Sequence, residues 1–168
     1  MALTTEQLAV FQASLLAETD PDLVFRRDNG QAGRVAEWYN QPRVPSLIVW
    51  KTSLQLEEIT SNGFDWVRVD NLSVGKARIW EWMFGGEDKS INPSKPNIRA
   101  GIAEVWKGTA ADLAVQATVL NHCKRPATRI EALFAVGTGT TEAPATMVFT
   151  EQLSEPDVMR ALYPQQQG

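Results

Sequence analysis

Histidine and cysteine are nearly missing from this chain, with one residue of each, His122 and Cys123. A single cysteine excludes an internal disulfide, and with one histidine beside it there is no ligand set for a Cys/His metal site. Adjacent helical residues point about 100° apart, so the pair does not face itself as nucleophile and base either. Any catalysis would have to run on carboxylates, lysine or hydroxyls, and no cofactor is expected. Long apolar runs are also absent. Nothing approaches the roughly 18 consecutive apolar residues that a membrane span needs. The start, MALTTEQL, lacks the basic and apolar regions of a signal peptide. The expectation is a soluble protein made in a cytoplasm, with no membrane partner. Positive charge is short too: 16 Lys and Arg against 20 Asp and Glu give a net charge of -4 and a pI near 5.1. That balance opposes a general nucleic-acid binder, whose affinity comes from releasing counterions with a basic face. No internal repeat is visible.

Helical signals dominate what is there. At 168 residues and 43% hydrophobic content, the chain can bury one real core. Thr4 and Gln7 have capping-box spacing, and Leu8, Phe11, Leu15 and Leu16 then recur at helical intervals, predicting a helix from about 5 to 18. A second helix is predicted over 31–40, stopped by Gln41-Pro42-Arg43-Val44-Pro45. Ser46 to Lys51 reads either as a strand or as buried extended chain. Thr52 and Gln55 open a helix ending at Asn62-Gly63. Asp70 to Phe84 carries an apolar stripe of Leu72, Ile79, Trp80, Met83 and Phe84, marking the central helix. The run GGEDKSINPSKP reads as an exposed loop, and 97–107 as the helix after it. Thr109 caps a long helical segment that continues across a kink at Pro126 to Gly137. Beyond it, ATMVFTEQL is strand-like, and Ser154-Glu155-Pro156-Asp157 opens a last helical turn or two. The fold expected is mainly α: a compact bundle of about six helices over 1–136, with a short β or extended C-terminal arm over 137–168.

Candidate chemistry is thin. VGTGTT has the glycines of a phosphate loop, but such loops follow a strand and open a helix, and this one follows a helix. Ser73-Val74-Gly75-Lys76-Ala77 departs from a P-loop at both its first glycine and its magnesium-binding hydroxyl. The carboxylates show no spacing that brings two of them together. The densest basic cluster, Lys124, Arg125 and Arg129, either meets an acidic surface or solvates the bend at Pro126. Six tryptophans, at 38, 50, 66, 80, 82 and 106, stand out. Trp80 and Trp82 lie about 200° apart on a helix. Either one of them meets another protein or the core wraps both sides of that helix.

The run CKRPATRIEALFAVGTGTTEAPATMVF, with VDNLSVGKARIWEWMF and NPSKPNIRAGIAEVWKGT upstream, resembles small proteins encoded among the head and neck genes of tailed bacteriophages. The likeness extends from about Leu3 to Met159. It implies a non-enzymatic virion component, and by closest analogy the head-tail connector, or adaptor, ring beneath the portal. On that analogy the subunits form a homo-oligomeric ring, a dodecamer, touching the portal protein above and a neck or tail protein below, with DNA passing through. The interface would use Trp80 and Trp82, the basic residues Lys124, Arg125 and Arg129, and an arm bearing Thr138, Thr140, Pro144, Met147, Val148 and Phe149. A strand such as ATMVF could add to a partner's sheet. Other virion positions, as tail terminator, stopper or capsid decoration protein, share these features. A small nucleotide-binding or hydrolytic domain using GTGTT and Lys76 is the alternative of another class.

Overall fold

The computed structural model describes residues 3–61 and 64–164. The chain is mainly α, with ten helices and six short strands among the described residues. It divides into two compact units, residues 1–48 with 126–168 and residues 49–125. Each unit has its own apolar cluster.

The first unit begins with α1 (Thr5–Ala17), whose capping box pairs Thr4 and Gln7 as the spacing predicts. Phe11 and Leu15 are its fully buried positions. A helix absent from the sequence reading follows, α2 (Pro21–Asp28), with Asp20 capping two backbone amides and proline in the first turn, where its missing N–H costs nothing. Then α3 (Ala32–Tyr39) buries Val35, Ala36 and Tyr39. After the second unit, α9 (Arg129–Phe134) opens on a Thr128/Glu131 capping box. The strands β5 (Ala135–Val136) and β6 (Thr146–Met147) pair antiparallel, Ala135 opposite Met147. Last comes α10 (Glu155–Leu162), capped by Ser154 and packed on α3 and α1.

The second unit contains β1 (Ile48–Trp50) for all but its first residue and β4 (Lys124–Pro126) for all but its last, and these two strands pair. Between them run β2 (Leu54–Gln55), α4 (Leu56–Thr60), α5 (Trp66–Asp70), α6 (Val74–Met83), β3 (Ser90–Ile91), α7 (Pro96–Val105) and α8 (Ala110–His122). Its core gathers Leu54, Ile59, Ile102, Val105, Val119 and Trp106, all fully buried.

Several expectations change. The 52–55 capping box gives way to one between Gln55 and Glu58, because Leu54 and Gln55 are held in β2 against Ile91 and Ser90. The Asn62-Gly63 cap lies outside the described residues. The central helix divides into α5 and α6, since the Ser73 hydroxyl accepts the Lys76 amide proton and starts a new helix there. The 85–96 stretch is not wholly exposed: Ile91 and Pro93 are buried, and Arg99 holds the carbonyls of Pro93 and Ser94 at 2.6 and 2.8 Å. At Pro126 there is a strand instead of a kinked helix, and the Ala127 amide donates to the Leu47 carbonyl.

The segment beyond 136 packs into the first unit. Ala145, Met147, Phe149, Leu153, Val158 and Ala161 are buried, alternating with exposed positions between 145 and 149 as a strand requires. Within it, GTGTT is a turn against Leu47 and Ile48. The Ile48 amide donates to the Gly139 carbonyl at 2.8 Å, and the Ala145 amide donates to the Ile48 carbonyl at 2.9 Å. An extended arm free of the core is therefore not what the structure has at 137–149. The reason is apolar area: three inward side chains in five residues are worth more buried at home than held in water.

Candidate functional site

Helix α6 has two unlike faces. On one, Trp80 enters the second unit's aromatic core, with ring centroids 4.9 Å from Phe84, 5.4 Å from Trp106 and 6.5 Å from Phe64. On the other, Val74, Arg78, Glu81 and Trp82 are exposed, at i, i+4, i+7 and i+8, the spacing of one helical stripe. Trp82 is 74% and Val74 77% exposed. Gly75, on the same turn as Val74, has nothing within 4 Å of where a side chain would stand, so another backbone can come close. The 200° separation of the two tryptophans thus resolves into one core residue and one solvent-facing residue. Trp66 and Val67 on α5 are exposed as well, a feature the sequence reading did not single out.

The other residues singled out from sequence go to different places. Lys76, offered to a phosphate by one reading, donates instead to the Lys107 carbonyl at 2.6 Å. Lys124 and Arg125 are half-buried on β4, and Lys124 lies 5.8 Å from the Trp50 ring, which Arg99 also covers at 4.6 Å. Thr138 and Thr140 are exposed, Pro144 is half-buried, Met147 and Phe149 are buried in their own unit, and Val148 is exposed. Phe149 meets Phe134 with centroids 5.7 Å apart.

Arg129 belongs to the first unit, and it marks a cavity of about 360 Å³. An isolated antiparallel bridge joins Pro42 to Thr128. On either side of it the Arg43 amide donates to the Ala127 carbonyl and the Arg129 amide to the Gln41 carbonyl, both at 2.9 Å. Residues flanking a bridged pair share the opposite face of the ribbon, so Arg43 and Arg129 come to the same side. Both line the cavity, with Trp38 and Leu133 among its walls. From sequence, Arg129 falls in a basic cluster, Trp38 only among the six tryptophans, and Arg43 only in the run that stops a helix. The signal the sequence lacks is the bridge, which joins segments far apart in the chain.

Burial pushes the Cys123 thiol up to about 12, so it is a protonated core residue at neutral pH and no nucleophile. Glu58 is held below its ordinary range by hydrogen bonds from Lys51 and the Gln55 amide. Among the described residues no group of three or more His, Cys, Asp and Glu side chains is placed to hold a metal, and no helix is long and apolar enough to cross a membrane. Comparison with protein-family models, with curated proteins and with solved structures finds no match.

Proposed function

We propose that this chain is a non-enzymatic structural subunit of a tailed-phage virion, a head-tail connector (adaptor) that self-associates into a ring between the portal and the neck or tail. The observation that carries the self-association is the Val74–Trp82 stripe. A tryptophan three-quarters exposed on a well-capped helix, beside a glycine with open space, has the composition of an interface anchor. The resemblance of the KRPATRIEALFA and GTGTT segments to head and neck proteins supplies the setting. The compact bundle and the dodecameric ring belong to this reading, as does the passage of DNA past an acidic subunit. Virion membership follows from the same setting, and the other virion positions, as tail terminator, stopper or capsid decoration protein, are the alternatives to the connector.

In this reading the contact between subunits is made by α6, since the 137–149 segment is already used within its own unit. Light scattering over a concentration series, alone and with the portal protein of the same phage, tests it. The expected result is a discrete multiple of 18.6 kDa, or a monomer that joins the portal in a fixed ratio. A monomer indifferent to the portal at every concentration would overturn it.

A further inference from the structure

The cavity beside Arg129 has no part in the connector reading. Arg129 lies over the Trp38 ring, its guanidinium carbon 4.0 Å from the ring centroid, and its Nη1 donates to the Trp38 carbonyl at 3.1 Å. The ring contact and that bond hold the guanidinium in place, and a held fork is the preorganisation that bidentate carboxylate binding needs. Among the described residues this is the only side-chain hydrogen bond Arg129 makes, and neither Arg129 nor Arg43 is in an ion pair. The backbone bridge described above brings both arginine side chains to the same cavity. Two unpaired cations on a shared wall repel each other unless an anion joins them.

We propose that this cavity takes the C-terminal residue of a partner polypeptide, its terminal carboxylate held between Arg43 and Arg129. Three features select that chemistry. The charge balance is the first: Glu18 also lines the cavity, so two guanidiniums and one carboxylate leave a single positive charge, which suits a monoanion and not a phosphate dianion. Acceptors are the second. Glu18, which already accepts the Thr19 and Asp20 amide protons through Oε1, has a second carboxylate oxygen, and the hydroxyls of Ser14 and Tyr39 pair at 3.3 Å on the same lining. A chain terminus carries an N–H two bonds from its carboxylate carbon, within reach of such acceptors, whereas an Asp or Glu side chain has no donor so placed. The third is Leu133, an apolar wall for the terminal side chain. A volume of about 360 Å³ matches one or two residues, at the small end of the roughly 300–1,000 Å³ of ligand sites.

The test uses the full chain, labelled with 15N, and N-acetyl-Ala-Leu bearing a free carboxylate. The expected result is saturable shifts at the amides of Trp38, Arg129 and Leu133, at the Trp38 indole N–H and at the Arg129 Nε–H. The carboxamide of the same peptide should leave these signals unmoved, and Arg43→Gln should weaken binding by about tenfold, the worth of one charge-assisted hydrogen bond. Arg43 is exposed, so its variant keeps the fold, checked by an unchanged melting curve. Equal binding of the carboxamide overturns the proposal, as does equal binding of N-acetylglutamate α-amide or inorganic phosphate, or the absence of saturable shifts at these residues. None of these outcomes depends on whether the subunit forms a ring.

Discussion

At the scale of single residues, Gly139 shows how much a turn demands. Its φ is +74°, and a methyl group there would stand 2.5 Å from Leu47 Cδ1 and 2.6 Å from Cγ. Backbone strain alone makes Gly139→Ala cost about 1–3 kcal/mol, and displacement of Leu47 adds to it. Denaturant unfolding should show the midpoint falling; an unchanged midpoint would mean that the turn repacks freely. Cys123 gives a pH prediction. Its thiol is raised by burial from 9.0 to about 12, so between those values the unfolded chain has lost a proton that the native one keeps. Stability is therefore undiminished below about 9 and declines as pH rises toward 12. In the native protein at pH 8, iodoacetamide should label Cys123 far more slowly than in the guanidinium-unfolded chain; equal rates would show the thiol to be accessible. Both residues are legible as types in the sequence, a glycine in a turn and a lone cysteine, but only tertiary neighbours assign their roles.

At the scale of elements, the caps carry the most reliable information. Thr4 and Gln7 close as their spacing predicts, and Thr109 caps its helix as expected, with Asp112 completing a box there, because a cap involves only residues three apart. The box at Thr128 and Glu131 belongs to the same class, and it stayed hidden behind Pro126, which was read as a kink. The long-range pairs were illegible for a physical reason. Strands of two or three residues hold too little pattern to reveal a period of two, and their partners lie across many intervening residues. So β2 was absorbed into a helix, β3 into a loop and β4 into a kink. The strand-like character of ATMVF was visible, but whether it pairs with its own chain or with another is not a property of the segment. Its partner is β5, and α10 follows it into the core. Ending the chain before Thr138 should therefore unfold the first unit, read as loss of far-UV ellipticity and of cooperative melting. A truncated chain that melted like the full one would restore the free-arm picture. Thr128→Ala is milder, at about 1 kcal/mol for the lost cap.

At the scale of the whole molecule, two apolar clusters stand where composition suggested one. The second unit, residues 49–125, is continuous in sequence, while the first is assembled from both ends of the chain. A sequence reading that proceeds from one terminus to the other finds the continuous piece more easily than the composite one, and it mistakes the returning segment for an appendage. The two proposed contact surfaces lie in what each unit leaves uncovered: the Val74–Trp82 stripe in one and the Arg43/Arg129 cavity in the other. The stripe carries the central claim. Trp82 is exposed in the single subunit, so Trp82→Ala should alter folding stability by no more than about 0.5 kcal/mol. The decisive measurement is the solution mass of the wild-type chain and of Trp82→Ala, side by side over a concentration series, with melting curves for both. The account predicts a discrete assembly for the wild type and a monomer of 18.6 kDa for the variant, at matched melting temperatures. Equal masses for the two, or a variant that loses its fold along with its assembly, would contradict it.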